Sequence, residues 1–120
     1  MRQVLVVDDK PSSRELIRAV LESSGYTVSE AGDGQEAVLI AEQIEPDAIL
    51  LGLQMPALDG FGAIERLRAD PRFASLPIVA LTASAMQGDR EKALAAGFTS
   101  YITRPVTLKA LRAELARLLP

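Results

Sequence analysis

The chain has no cysteine, no histidine and no tryptophan among its 120 residues. Without cysteine there is no disulfide, thiolate metal site or thiol nucleophile, a composition that suits a reducing cytosol. Without histidine, Ser-His-Asp catalysis, most zinc chemistry and phosphohistidine donation fall away, so any phosphoryl donor must be another molecule. Positive charge is also in deficit: 13 Lys and Arg face 16 Asp and Glu, for a net charge of −3. That balance argues against a nucleic-acid partner, whose phosphates are gripped by clustered cations. No apolar run approaches the roughly 20 residues that span a bilayer. The start Met1-Arg2-Gln3 lacks the charged and apolar regions of a signal peptide. A cytoplasmic location away from membranes is the expectation.

What is present is ordinary for a packed domain: 48% apolar and 24% charged residues. The length suits one domain over residues 1–120. Val4 to Val7 is a continuous apolar run, the pattern of a strand buried on both faces of a parallel sheet. Ser12 and Glu15 have capping-box spacing, and Leu16, Ile17, Val20 and Leu21 then fit one face of a helix that Gly25 stops. Tyr26 to Ala31 reads as a second strand. Asp33 and Glu36 open a second helix through Ala37, Val38, Ala41 and Ile44, which Pro46 ends. Ala48 to Leu51 is another wholly apolar strand, with Pro56 and Gly60 punctuating the loop before a helix bearing Phe61, Ile64 and Leu67. Pro77 introduces the strand Ile78 to Leu81, and a helix from Asp89 to Ala96 stops at Gly97. Ser100 to Thr103 is a fifth strand. After Pro105, Thr107 caps a last helix along Leu108, Leu111, Leu115 and Leu118.

Strands and helices alternating in this way imply a doubly wound α/β fold, a parallel sheet covered on both faces. Periodicity leaves the strand order open, with 2-1-3-4-5 one of two common choices. Ligands of such sheets settle beyond the carboxyl ends of the strands. That rule selects Asp8 and Asp9, Gly52 to Met55, Thr82 and Ala83, and Arg104. Two acids, a hydroxyl and a cation on one edge can serve a hard cation and an oxyanion. The plainer alternative is that the acids favour a helix N-terminus, Thr82 is a turn residue and Arg104 is solvated.

Several motifs, in this order, make the chain resemble the receiver domain of two-component response regulators from end to end. They are Val4-Leu5-Val6-Val7-Asp8-Asp9, Leu53-Gln54-Met55-Pro56, Asp59-Gly60, Leu81-Thr82-Ala83 and Arg104-Pro105. The resemblance implies a flavodoxin-like five-stranded sheet of order 2-1-3-4-5 with five helices, and a magnesium-dependent aspartyl-phosphate switch. Asp8 and Asp9 are similar to the family's metal-binding acids, the Gln54 carbonyl to its backbone metal ligand, Thr82 to its switch hydroxyl and Tyr101 to its switch aromatic. Two positions depart from the pattern. Gly52 stands where the acceptor aspartate is expected, and Arg104 where a phosphate-clamping lysine is expected.

Forming an acyl phosphate needs a carboxylate nucleophile, and glycine has none. Asp47 should lie at the far end of its strand and Asp59 on the outer part of a loop, so neither is an obvious substitute. Magnesium binding should be weakened, since Asp8, Asp9 and Arg104 sum to −1. An Arg104 ion pair with Asp8 or Asp9 in place of the metal is one expectation, and a solvent-directed Arg104 the other. Gly52 alternatively marks only a bulge or a close backbone approach. The leading reading is a non-enzymatic, phosphorylation-independent interaction module. Its partner would be a histidine kinase, phosphotransfer protein or output protein, met on a surface from Met86 to Arg90 through Tyr101 to Lys109 and Arg112. A second reading keeps the conventional switch, either because Gly52 replaces the acceptor by an introduced change or because another residue accepts the phosphate. A third is a flavodoxin-like enzyme or nucleotide binder, which Asp8-Asp9-Lys10-Pro11, lacking a glycine-rich phosphate loop, disfavours.

Overall fold

The structure is a computed structural model that describes residues 2–55, 57–83 and 87–119. Among these, five strands and five α-helices alternate: β1 (Gln3–Val7), α1 (Pro11–Ser23), β2 (Thr27–Ala31), α2 (Gly34–Ile44), β3 (Ala48–Gly52), α3 (Gly60–Ala69), β4 (Ile78–Thr82), α4 (Gln87–Ala96), β5 (Ser100–Thr103) and α5 (Leu108–Leu118). A short 3-10 turn, Pro71–Phe73, precedes β4. All neighbouring strands are parallel, in the order β2-β1-β3-β4-β5. No described helix is long and apolar enough to cross a membrane.

The apolar runs explain the layers. Successive side chains of a strand point to opposite faces, so a strand apolar throughout needs helices on both sides. Leu5, Val7, Ile49, Leu51, Ile78 and Ala80 pack with residues of α2, α3 and α4. Val4, Val6, Leu50, Val79, Leu81 and Ile102 pack with Ile17 and Leu21 of α1 and Leu111 and Leu115 of α5. Each fully buried Val or Leu contributes roughly 1.5–3 kcal/mol relative to an exposed one. The middle strands β1, β3 and β4 are buried along nearly their whole length, which fixes the level at which their carboxyl ends emerge.

Among the described residues, side-chain oxygens set the starts of three α-helices. Asp33 accepts from the Glu36 N–H at 2.8 Å, Asp59 from Gly62 N–H at 2.9 Å, and Thr107 from Ala110 N–H at 3.1 Å. The capping box expected at Ser12 is not formed. Pro11, whose fixed φ suits the first helical position, starts α1 two residues earlier than a Ser12 cap would, and the N-cap residue Lys10 makes no side-chain cap. Instead the Asp8 carboxylate accepts from Lys10 N–H at 3.0 Å, an Asx-type turn that leads the chain into the helix. Two leucines assigned to buried faces are outside: Leu16 is 64% and Leu108 47% exposed. In α1 the buried line is Ile17 and Leu21, four residues apart, and Leu16 is rotated out by the helical pitch.

Pro56, expected to punctuate the loop after β3, lies outside the described residues. Around it the loop is tied down. Gly34 N–H donates to the Leu58 carbonyl at 3.0 Å and Gly60 N–H to the Leu53 carbonyl at 3.0 Å. A Cβ on Gly60 would stand 2.4 Å from the Gly52 carbonyl oxygen, so only glycine lets α3 begin this close to the end of β3.

Candidate functional site

The ladder brings the sequence-selected positions to one edge. Val7 pairs with Leu51, so Asp8 leaves β1 at the level of Gly52; Gly52 pairs with Leu81, and Thr82 with Thr103, the residue before Arg104. Asp8, Asp9, Gln54, Thr82, Ala83 and Arg104 line one cleft of about 290 Å³, together with Lys10 and Leu81. Gly52 is buried at the end of β3. Tyr101 is not in this cleft. It faces a separate groove with its ring under the Arg90 guanidinium, 5.3 Å from the ring centre.

Asp8 is the centre of the polar contacts. It is 1% exposed, and a carboxylate so buried must be hydrogen-bonded or paired. One oxygen, Oδ1, accepts from Lys10 N–H at 3.0 Å, and Oδ2 accepts from Arg104 Nη2 at 2.7 Å. Arg104 Nη1 donates to Ser13 Oγ at 3.1 Å, and the Arg104 backbone N–H donates to the Thr82 carbonyl at 2.7 Å. Arg14 Nη1 donates to the Asp8 carbonyl at 2.7 Å. Burial pushes the Asp8 carboxyl up, but hydrogen bonds from Lys10 N–H, Ser13 and Arg104, with the Arg104 charge, outweigh it and hold it below the ordinary carboxylate value. Asp9 is exposed and makes no hydrogen bond or ion pair among the described residues. Of the two arrangements open to Arg104, it takes the ion pair, with Asp8; one guanidinium nitrogen reaches the carboxylate and the other the serine.

At Gly52 there is no bulge, because the β3–β4 register runs unbroken from Ile49–Ile78 to Gly52–Leu81. Its φ is not in the left-handed region. A Cβ there would meet the Val7 carbonyl oxygen at 3.3 Å and the Met55 side chain at 3.6 Å. The backbone therefore does not demand glycine, and Met55 lies over the space a side chain would enter. The other acids stand apart. Asp47 precedes β3 at the opposite end of the sheet, where its Oδ2 accepts from Gln3 N–H at 2.7 Å, and Asp59 caps α3. Among the described residues no three acids gather in a way that could hold a metal ion.

Ser13 and Arg14 were not singled out by sequence pattern. Once Pro11 is taken as the first helical residue, Ser13 and Arg14 fall in the first turn beside the end of β1, which is the signal that could have found them. The proposed contact surface is divided. Arg90 and Tyr101 adjoin, and Lys109 is exposed. Arg112 turns away to donate to Ser24 Oγ at 2.9 Å and Ser23 Oγ at 3.1 Å, at the end of α1. A cation there also meets the negative end of the helix. Met86 lies outside the described residues.

Residues 4–116 match the family model described as the response regulator receiver domain. Among curated relatives, the Synechocystis regulator RpaA is 36% identical over 99% of this chain, and the Brucella anthropi response regulator DivK is 33% identical over 89%. The chain spans 49% of the length of RpaA and 13% of that of the Escherichia coli histidine kinase BarA, but 87% of DivK is matched. Among solved structures, Vibrio cholerae CheY4 superposes with a TM-score of 0.95 at 31% identity, covering 99% of both chains. The receiver domain of the Pseudomonas aeruginosa sensor histidine kinase PA1611, solved with magnesium coordinated in its active-site cleft, gives a TM-score of 0.90 at 41% identity, covering 98% of this chain and 96% of that one.

Proposed function

Given that this chain belongs to the response regulator receiver family of two-component signalling, we propose that it is a receiver that is not phosphorylated at the usual position and signals by protein contact alone. The observation that carries the reading is Gly52, a residue without side-chain oxygen at the carboxyl end of β3, where the family resemblance puts the acceptor aspartate. Phosphoryl transfer to the protein needs an oxygen nucleophile beside the cation that neutralises the transferring group. The nearest carboxylate, Asp8, has each oxygen engaged by a donor, while Asp47 and Asp59 are committed elsewhere.

On this reading Thr82, Ala83 and Arg104 are remnants of a phosphoryl pocket, and Thr82 and Tyr101 are remnants of its switch. The domain's states would then be biased by a kinase, phosphotransfer or output protein that binds one of them better, since a ligand moves an equilibrium only through differential affinity. No chemistry is assigned to the domain itself. The residues fit magnesium poorly: Asp8 is occupied by Arg104, Asp9 stands alone, and no third acid joins them among the described residues.

A second reading, a conventional receiver in which Gly52 replaces an acceptor, is favoured by the magnesium held in the cleft of the similar PA1611 domain. Where that reading has another residue accept the phosphate, incubation with acetyl phosphate and magnesium, followed by intact mass measurement, separates the two for the chain as it stands. The expected result is an unchanged mass. A stoichiometric single phosphoryl adduct would overturn the proposal.

A further inference from the structure

The cleft has an internal cation. Arg104 is anchored at three points: its backbone N–H on the Thr82 carbonyl, Nη1 on Ser13 and Nη2 on Asp8. Its side chain is 30% exposed and that of its partner 1%. The contact of 2.7 Å is typical of a charge-assisted hydrogen bond. We infer that the guanidinium of Arg104, positioned by Ser13, is the resident cation of this cleft and excludes a divalent metal, so that the site stays assembled in metal-free solution.

The chemistry is specific to these residues. Magnesium requires near-octahedral oxygen ligands at about 2.0–2.1 Å, usually one or two carboxylates plus waters. To use Asp8 it would have to share a buried carboxylate already held by Arg104 and the Lys10 N–H, and would face the guanidinium, a second cation, across it. Asp9 alone, exposed and unpaired among the described residues, offers no more than a surface acid does. Counting Asp8, Asp9, Lys10 and Arg104, the cleft is formally neutral, so it has no net field to draw in a divalent ion. Ser13 makes the arrangement directional, because it fixes the second guanidinium nitrogen while the first faces Asp8. The inference concerns the same cleft as the proposed function but does not depend on it, and no phosphoryl donor enters its test.

The test compares the unaltered chain with Arg104→Met and Ser13→Ala, at matched ionic strength. Thermal unfolding is followed with magnesium up to about 10 mM, above the 10⁻⁴–10⁻³ M range of weak divalent sites. Manganese broadening of backbone amide signals is the second readout. For the unaltered chain the expected midpoint is independent of magnesium, and Asp8 and Asp9 broaden no more than the exposed Glu65. Arg104→Met, which keeps the aliphatic stem but frees Asp8, is expected to gain a magnesium-dependent rise in midpoint and selective broadening at Asp8 and Asp9. Ser13→Ala is expected to fall between the two. Selective broadening in the unaltered chain below about 1 mM manganese, within the range of real divalent sites, would overturn the inference, as would an Arg104→Met variant that folds but remains indifferent to metal. Should that variant not fold, broadening in the unaltered chain and in Ser13→Ala decides.

Discussion

Replacing Arg104 by methionine should cost stability in a way that depends on pH. The change removes a 2.7 Å hydrogen bond to Asp8 and a 3.1 Å one to Ser13, and leaves the buried carboxylate with the Lys10 N–H at 3.0 Å. Breaking a fully buried pair costs about 3–5 kcal/mol. Since Arg104 is 30% exposed and Asp8 keeps other donors, water offsets part of this, and about 2–3 kcal/mol is the expected loss at neutral pH. With a urea slope of about 2 kcal/mol/M, the midpoint should drop by roughly 1–1.5 M at unchanged slope. The groups around Asp8 are Asp9, Lys10, Ser13, Arg14 and Arg104. Its carboxyl is held below the ordinary carboxylate value, so its contribution is present above that value and is lost as pH falls through the folded one. Part of the lowering comes from Arg104. The gap between the two proteins should therefore be full above about pH 5 and shrink below about pH 3. A loss under about 0.5 kcal/mol at neutral pH, the usual range for surface changes, or an equal loss at pH 2.5 and pH 7, would refute the reasoning, the latter by showing that only packing was removed.

Two further substitutions probe the frame around the cleft. Among the described residues Arg68 has no carboxylate partner; it donates to the carbonyls of Phe73 at 2.6 Å, Leu76 at 2.8 Å and Gly97 at 2.8 Å, joining the ends of α3 and α4 to the approach to β4. Arg68→Met should cost about 2 kcal/mol in urea unfolding, and hydrogen exchange should quicken at Gly97 and the neighbouring amides; unaltered exchange would count against the role. Gly52→Ala adds a Cβ 3.3 Å from the Val7 carbonyl but lowers the entropic cost of ordering glycine, so calorimetry should find a change within about 1 kcal/mol. A loss beyond about 2 kcal/mol, the scale of overpacking in a core, would mean that the backbone does require glycine there.

The order of elements was legible because β1, β3 and β4 are apolar on both faces, and a run such as Ile78 to Leu81 has few other uses. Asp33 and Thr107 were legible as caps because each stands immediately before a periodic stretch. Ser12 misled because a proline one residue earlier took over the helix start and moved the serine inside the first turn. Leu16 misled because adjacent leucine and isoleucine both fit a helical period, and only the neighbouring strand decides which is covered. Arg104 could be matched to either acid from spacing. The alternation at the end of β1 turns Asp8 inward and Asp9 outward, a matter of one residue of register. The contacts of Ser13, Arg14, Arg68 and Arg112 reach across 5 to 91 positions, and no local pattern announces them.

The Arg90 guanidinium sits over the ring of Tyr101. A visiting protein that needs this aromatic face must first move the guanidinium aside, forfeiting about 0.5–1 kcal/mol for an exposed stack. A visitor whose own acid draws Arg90 away recovers that loss. The stack thus acts as a modest filter, ranking visitors by whether they bring negative charge to the neighbourhood of the ring.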